Sequence, residues 1–219
     1  MAWLIFALAL IGSYLLGSIN IAVIISKFIA HDDVREHGSG NAGMTNMMRT
    51  MGFLAGLITF LVDVAKGSVV CLLAKFVVFP YIESLSPLDF FKVEYGIYHC
   101  AFLCIIGHAF PVFFDFRGGK GVATTLGIML VCQWQTGILA LTVFIIVMLL
   151  SRIVSLSSII AGISIPLINI AYVPRLGGNS VLIQCLLSAT LPLFAIIMHH
   201  QNIARLIRGE EKKFTIKKN

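Results

Sequence analysis

The stretch WLIFALALIGSYLLGSINIAVIISKFIA, residues 3–30, carries a single charged side chain, that of Lys27. A helix needs about 20 mostly apolar residues to cross the roughly 30 Å hydrocarbon core of a bilayer, and this stretch exceeds that length. It has no basic n-region and is too long for the h-region of a signal peptide. We therefore expect a retained membrane helix at the start of the chain.

The rest of the chain has the same character. Of its 219 residues, 58% are hydrophobic and 12% are charged, and the mean hydropathy is +0.96, which is too apolar for a soluble globular surface. These values predict an all-α polytopic membrane protein that forms one integral-membrane domain over residues 1–219. They leave no room for a soluble domain of any size.

Apolar runs and their interruptions predict seven transmembrane helices. Their ranges are 3–29, 51–80, 95–114, 121–133, 136–151, 157–173 and 181–199. A single helix over 121–151 would be about 46 Å long at about 1.5 Å per residue, which is too long for one crossing. The polar triplet Gln133, Trp134 and Gln135 is expected to form a turn there.

Lys and Arg are distributed unevenly between the two faces of this seven-helix arrangement. One face holds twelve of the sixteen basic residues, the other holds Lys75, Lys92 and Arg175, and Lys66 lies inside a span. The positive-inside rule then places the N-terminus outside and the C-terminus in the cytoplasm. Four polar loops converge on the cytoplasmic face in this topology.

Several classes of function lack support in the sequence. The five cysteines lie in apolar stretches without CxxC spacing, so neither a disulfide framework nor a metal site is expected. The net charge of +6 is explained by basic loops at a membrane surface, and no motif indicates binding to nucleic acid. The sequence also lacks the motifs of enzymes that form a covalent acyl-enzyme or that activate water with a metal ion.

The first polar loop, HGSGNAGMTN at 37–46, concentrates hydrogen-bonding groups between two apolar segments. Its glycines, Gly40 among them, could form a nest of backbone N–H groups that binds an anion. Ser39, Asn41 and Thr45 add polar side chains, and Arg49 could hold a phosphate with two parallel hydrogen bonds. The alternative is a polar turn with Arg49 reaching to the lipid headgroups.

The second loop contains Gly118, Gly119 and Lys120 directly before a predicted helix. The lysine and the helix N-terminus together favour a phosphate or a carboxylate, although the spacing is not that of a phosphate-binding P-loop. Glycine-rich basic turns are also common at cytoplasmic helix ends.

Two further clusters lie near the remaining loops. Arg152, Ser155 and Ser158 recur at spacing three, which would place them on one helix face, although Ser155 could equally be a helix cap. His199 and Asn202 share a face by the same spacing, and the histidine could be structural or functional. Asp63 and Lys66, inside the second span, are expected to pair with each other.

The motifs together resemble those of a known family. GSGNAGMTNMMR (38–49), GHAFPVFFDFRGGKGVAT (107–124), RIVSLSS (152–158) and HHQNIARLIRGEE (199–211) are similar, in the same order, to the four motifs of the bacterial PlsY family of acyl-phosphate:glycerol-3-phosphate acyltransferases. DVAKG at 63–67 matches as well. The similarity spans the whole chain.

The resemblance implies an enzyme of phospholipid biosynthesis in the bacterial cytoplasmic (inner) membrane. It would transfer a fatty acyl group from acyl phosphate to the 1-hydroxyl of glycerol 3-phosphate, giving lysophosphatidic acid and phosphate, without a cofactor, a metal or an obligate protein partner. Matching the motifs residue by residue makes Ser39, Lys120, His199 and Asn202 the candidate catalytic residues. The candidate substrate-binding residues are Gly40, Asn41, Thr45, Arg49, Gly118, Gly119, Arg152, Ser155 and Glu211.

Two other functions stay open at this stage. A transporter of organophosphates or other anions would also need basic loops and broken helices, but its site normally lies near the bilayer midplane. A lipid-binding scaffold would need only clustered cationic side chains. Acyl phosphate is already activated, so orientation and charge stabilisation can supply much of the rate, and we expect His199 to be a hydrogen-bond donor rather than a base.

Overall fold

The computed structural model describes residues 1–86, 88–172 and 181–214, and every regular element in these ranges is helical, as predicted. The α-helices are α1 (Ala2–Ser18), α2 (Ile21–Ile24), α3 (Met44–Thr50), α4 (Phe53–Leu73), α5 (Phe79–Leu85), α6 (Val93–Ala109), α7 (Val122–Cys132), α8 (Trp134–Ser151), α9 (Val154–Tyr172), α10 (Val181–Ile197) and α11 (His200–Ile207). π-Helical turns occur at Ile25–Ile29 and Ala74–Val78, and 3₁₀ turns at Val34–Glu36, Asp89–Phe91 and Val112–Phe114. Residue 173 of the sixth predicted span and the basic residues 175, 217 and 218 lie outside the described residues.

Four helical segments in the described residues are long and apolar enough to cross a membrane: Phe53–Leu85, Val93–Phe114, Trp134–Ser151 and Val154–Ala171. Two bent pairs, Ala2–Ser18 with Ile21–Ile29 and Leu182–Ile197 with His200–Ile207, raise the number to six if each pair is one span. The chain is therefore an all-helical, multi-pass membrane protein.

The fourth predicted span, 121–133, corresponds to α7. This helix has 11 residues, which gives a length of about 16 Å and is shorter than the hydrocarbon core. Its end and the start of α8 are separated only by Gln133, where a break was expected.

The first predicted span, 3–29, is not one straight helix. The chain bends by 42° after α1, because Ile19 is extended and Asn20 starts a new helix by accepting a hydrogen bond from the N–H of Val23 at 3.3 Å. The second predicted span, 51–80, begins instead at Phe53 and continues through α5. Arg49 lies in the last turn of α3, and Gly52 (φ 92°) separates this helix from the second span.

Close backbone contact joins the first and third spans. α1 packs along α6, and a Cβ atom at Gly17 would lie 2.1 Å from the carbonyl oxygen of Cys104. A Cβ at Gly107 would lie 2.2 Å from the carbonyl oxygen of Tyr14. Only glycine allows this approach, which is a common way for membrane helices to associate. α4 packs in turn along α7, and α9 packs between α8 and α10.

A buried cluster of charge lies where α4 meets α6. The ammonium nitrogen of Lys66 lies 2.8 Å from Oδ1 of Asp63, as the spacing predicted, and 2.8 Å from Nδ1 of His108. It also donates to the carbonyl oxygen of Ile19 at 3.2 Å, at the bend of the first span. Lys66 therefore fixes this bend to α4 and α6, and His108 is a partner that the sequence did not predict.

Candidate active site

A cavity of about 600 Å³ lies between α4, α7, α8, α9 and α10 and extends to the polar loops at one end of these helices. Its polar end brings together nine of the candidate residues from all four motifs: Ser39, Asn41, Thr45, Arg49, Lys120, Ser155, His199, Asn202 and Glu211. The remainder has an apolar wall that includes Phe60, Leu126, Met129, Ala140, Phe144 and Ile165. A ligand with an anionic head and a long apolar tail fits such a cavity.

Asn46 gives the first loop its shape. Its Oδ1 accepts a hydrogen bond from the N–H of Ser39 at 2.9 Å, and its Nδ2 donates to the carbonyl oxygens of Val34 at 2.9 Å and His37 at 3.0 Å. The N–H of Gly40 donates to the same His37 carbonyl oxygen at 2.9 Å. These two N–H groups are engaged within the loop, which differs from the anion nest expected from the glycines.

Arg35 joins the first loop to the second, and the sequence analysis did not select it. Its side chain is buried, and Nη1 donates to the carbonyl oxygen of Phe114 at 2.6 Å and of Arg117 at 3.3 Å. Asp33 pairs with the same guanidinium at 2.9 Å. Burial acts to raise the pKa of Asp33, but its hydrogen bonds from Arg35 and Lys27 hold that pKa well below the usual range.

Gly118 and Gly119 do not line the cavity, contrary to the prediction that they bind substrate. The N–H of Gly118 donates to the carbonyl oxygen of Ala109 at 3.0 Å, and that of Gly119 donates to the carbonyl oxygen of His108 at 3.1 Å. A Cβ at Gly119 would lie 2.1 Å from Nε2 of His108. Glycine is needed here because the loop packs directly on α6, and this packing places Lys120 at the cavity.

Lys120 belongs to a hydrogen-bonded network centred on Glu211. The lysine donates to Oδ1 of Asn202, whose Nδ2 donates to Oε1 of Glu211 at 2.6 Å. Ser155 donates to the same carboxylate oxygen at 2.7 Å, and Nε of Arg205 donates to Oε2 at 2.6 Å. Glu211 was predicted to bind substrate, but its carboxylate accepts these three donors and thereby positions the groups around it.

Burial and charge alter the titration of this network. Burial lowers the pKa of Lys120 to about 8, an effect that nearby Glu211 opposes and Arg205 reinforces. Burial acts to raise the pKa of Glu211, but the hydrogen bonds from Arg205, Asn202 and Ser155 outweigh it and lower that pKa. At neutral pH the lysine is therefore mostly a cation and Glu211 is a carboxylate.

His199 lies in the break between α10 and α11 rather than within a span. Its Nδ1 is 2.7 Å from the carbonyl oxygen of Ala195. A carbonyl oxygen only accepts hydrogen bonds, so Nδ1 carries a proton, and Nε2 of the neutral ring is then an acceptor. This geometry favours a proton acceptor and reverses our expectation that His199 would be a hydrogen-bond donor.

Two further candidate residues lie outside the cavity wall. Arg152 ends α8 in a left-handed conformation (φ 59°) with an exposed side chain, while Ser155 and Ser158 belong to the next helix and line the cavity. The predicted common helix face of Arg152 with these serines is wrong, because the chain breaks between α8 and α9. Gly40 is likewise absent from the wall and takes a left-handed turn conformation (φ 71°).

No group of three or more His, Cys, Asp or Glu side chains that could hold a metal ion occurs within residues 1–86, 88–172 and 181–214. The cavity wall offers cations, carboxylates, hydroxyl groups, amides and the imidazoles of His108 and His199. Such groups can bind phosphate, accept a proton and stabilise negative charge at a reacting oxygen.

The sequence profile of the family described as glycerol-3-phosphate acyltransferase matches residues 7–209. A glycerol-3-phosphate acyltransferase 2 of Bacillus anthracis is 38% identical over 208 residues, which cover 94% of this chain and 97% of the relative. A glycerol-3-phosphate acyltransferase of Thermosynechococcus vestitus is 39% identical over 209 residues, covering 94% and 93%.

Two solved structures are similar to the whole fold. The crystal structure of PlsY, an integral membrane glycerol 3-phosphate acyltransferase, in its glycerol 3-phosphate form has a TM-score of 0.79 at 31% identity and covers 96% of each chain. The lysophosphatidic acid form has a TM-score of 0.76 at 30% identity, with 96% and 95% covered. The same four motifs that meet at the cavity therefore belong to a recognised enzyme family, and this chain is a member of the glycerol-3-phosphate acyltransferase family.

Proposed function

We propose that this protein transfers a fatty acyl group from acyl phosphate to the 1-hydroxyl of glycerol 3-phosphate, giving lysophosphatidic acid and phosphate. The observation that carries the proposal is the cavity, whose polar end with Arg49 and Lys120 continues into an apolar part. The relatives named as glycerol-3-phosphate acyltransferases, and the related structures in glycerol 3-phosphate and lysophosphatidic acid forms, support it.

Binding of two phosphate-bearing substrates requires several anion donors. Arg49 and Lys120 supply the positive charge, and Ser39, Asn41 and Thr45 supply polar side chains that line the same cavity. Lysine has three N–H donors, and within the described residues Lys120 gives one to Asn202, so two remain for a phosphate. The fatty chain lies along the apolar wall.

In the proposed reaction the 1-hydroxyl oxygen attacks the acyl carbonyl carbon. Its proton passes to Nε2 of His199, the bond from the acyl carbon to the phosphate oxygen breaks, and phosphate leaves with that electron pair. Acyl phosphate is a mixed anhydride with a good leaving group, so neither a covalent enzyme intermediate nor a cofactor is required. Lys120 stabilises charge on the leaving phosphate or the substrate phosphate.

We also propose that the protein resides in the bacterial cytoplasmic membrane with seven spans, an external N-terminus and a cytoplasmic C-terminus. Support comes from the twelve basic residues on the face that carries the site, against three on the other. Labelling of single cysteines introduced near residues 40, 118 and 154 tests this arrangement. Labelling of these loops from opposite faces of the membrane would contradict it.

The activity is tested with purified protein, acyl phosphate and glycerol 3-phosphate. We expect phosphate and lysophosphatidic acid to form in equal amounts, and only when both substrates are present. An anion transporter would instead move glycerol 3-phosphate into proteoliposomes without acyl phosphate. Transport without product formation would contradict the proposed function.

A further inference from the structure

Three buried polar side chains form a continuous chain of hydrogen bonds between α8, α9 and α10. Thr136 Oγ1 donates to Oδ1 of Asn169 at 2.7 Å, and Nδ2 of Asn169 donates to Oγ of Ser188 at 2.6 Å. Ser188 Oγ donates to the carbonyl oxygen of Cys185 at 3.0 Å. The exposed fractions of Thr136, Asn169 and Ser188 are 1%, 0% and 0%. We call these three residues the polar trio.

The polar trio lies at the far limit of the apolar part of the cavity on all three helices. Thr136 directly precedes the wall residue Gly137 on α8 and lies four positions before the wall residue Ala140. Asn169 follows the wall residue Ile165 by four on α9. Ser188 precedes the wall residue Pro192 by four on α10. Residues four apart share a helix face, about 6 Å apart along the axis.

On each of the three helices, the residue of the polar trio lies farther from the polar end of the cavity than the wall residues named above. α8 ends, and α9 begins, beside Ser155 at that end, while α10 ends there before His199. The polar trio therefore crosses the far end of the cavity as a layer. Its members belong to none of the four motifs that meet at the polar end.

We propose that the polar trio closes the acyl part of the cavity and sets the longest fatty chain that the enzyme accepts; this rests on the proposed function. A terminal methyl group that advanced beyond Gly137 and Ile165 would separate Asn169 from Thr136 and Ser188. Buried amide and hydroxyl groups without partners are costly, and a methyl group offers no hydrogen bond in exchange. The apolar wall above the layer carries no such penalty.

The test measures kcat/KM for a series of saturated acyl phosphates from lauroyl to arachidoyl, with the wild type defining the longest chain used well. Asn169→Ala removes the centre of the layer and should raise kcat/KM for the next longer chain about tenfold relative to that reference chain. Thr136→Ala should shift the preference in the same direction. Ala140→Leu fills the cavity above the layer and should shift it to shorter chains.

The matched control is Thr142→Ala, because Thr142 is exposed on the same helix and donates to the carbonyl oxygen of Ile138 at 2.9 Å. It should leave the chain-length profile unchanged. If Ala140→Leu shortens the preferred chain while Asn169→Ala and Thr136→Ala do not lengthen it, the polar trio is not the stop. If Asn169→Ala does not fold, Thr136→Ala decides.

Two other outcomes also overturn the inference. If kcat/KM of the wild type shows no upper limit of acyl-chain length, the cavity has no stop. If none of the variants changes the dependence of kcat/KM on acyl-chain length, the fatty chain binds outside this cavity. Failure of the proposed function is distinct, since the wild type would then form no lysophosphatidic acid from any acyl phosphate.

Discussion

Lys66 and Lys120 are both largely buried lysines, and both lie beside a histidine and a carboxylate, but their surroundings differ. Lys66 has three close partners: Oδ1 of Asp63 in an ion pair of 2.8 Å, Nδ1 of His108 at 2.8 Å and the carbonyl oxygen of Ile19 at 3.2 Å. Lys120 gives one donor to Asn202 within the described residues. The first lysine is fully used by the protein, whereas the second keeps donors for a ligand.

The two neighbouring histidines differ in a corresponding way. Nδ1 of His108 faces the ammonium group of Lys66, which can only donate, so Nδ1 is an acceptor there. Nδ1 of His199 faces the carbonyl oxygen of Ala195 and is a donor, which leaves Nε2 of the neutral ring to accept a proton. Nδ1 of His108 is thus engaged by the protein's own lysine, whereas His199 keeps Nε2 for a reacting group.

The strongest way to test this distinction is Lys66→Met. It leaves Asp63 buried without its ammonium partner, and breaking a buried ion pair costs about 3–5 kcal/mol of folding free energy. We expect the purified variant to lose its thermal unfolding transition in detergent or to unfold at a much lower temperature. Lys75→Met, farther along the same span, is the control and should unfold like the wild type.

The double variant Asp63→Leu/Lys66→Met should regain most of the lost stability, because it removes both charges. If the Lys66→Met variant instead unfolds at the same temperature as the wild type, Lys66 does not stabilise the fold.

His199 should give the next largest effect. Loss of a base typically lowers kcat by about 10²–10⁴, and neither glutamine nor alanine replaces an imidazole as proton acceptor. We therefore expect His199→Gln and His199→Ala to lose activity to a similar extent while remaining folded, as judged by thermal unfolding. Substantial retention of kcat by His199→Gln alone would restore the donor role.

Lys120→Met should lower kcat/KM about tenfold or more in folded protein, since a charge-assisted hydrogen bond to a buried anion contributes about 1.5–3 kcal/mol. The variant should keep the unfolding temperature of the wild type, in contrast to Lys66→Met. Equal losses of stability in these two variants would erase the distinction between the lysines.

The pH profile offers an independent test of Lys120. Its pKa of about 8 means that the cation is present below pH 8 and is lost as the pH rises through that value. We expect kcat/KM of the free enzyme to fall about tenfold between pH 7 and pH 9. Lys120→Arg should remove this alkaline limb, because arginine stays charged. If kcat/KM of the Lys120→Arg variant still falls between pH 7 and pH 9, the titrating group is not Lys120.

Arg117→Gln should have the smallest effect. Arg117 and Glu36 form a pair of 3.4 Å with exposed fractions of 59% and 63%, and such surface pairs contribute about 0–1 kcal/mol. Activity and unfolding temperature should both stay close to those of the wild type. A large loss of activity would show that positive charge near the site matters even without burial.

The sequence predicted the helical membrane class and the residues at the cavity better than it predicted their roles. Hydropathy located each apolar segment because length and composition are properties of the segment alone. Ser155 and Glu211 were found through motifs, yet their hydrogen bond joins positions far apart in the chain. No spacing rule indicates that Glu211 accepts from three side chains rather than from substrate.

The features that the sequence missed all depend on contacts between segments. Arg35 resembles any other basic loop residue until its guanidinium reaches Phe114. Gly118 and Gly119 matched a phosphate-binding composition, but their N–H groups are taken by α6. The bend after Ser18 interrupts an apolar run that has no proline, and only Asn20 could have indicated it.

The bend in the first span also bears on how the protein is assembled in the membrane. During synthesis Asp63 and Lys66 enter the bilayer on one segment, where spacing three lets them neutralise each other before His108 has been made. The carbonyl group of Ile19, which accepts from the ammonium group in the folded protein, lies on a segment that is made earlier still. The third span then adds His108 and completes the set. Early segments can thus carry buried charge safely because the partners arrive in the order in which the chain is translated.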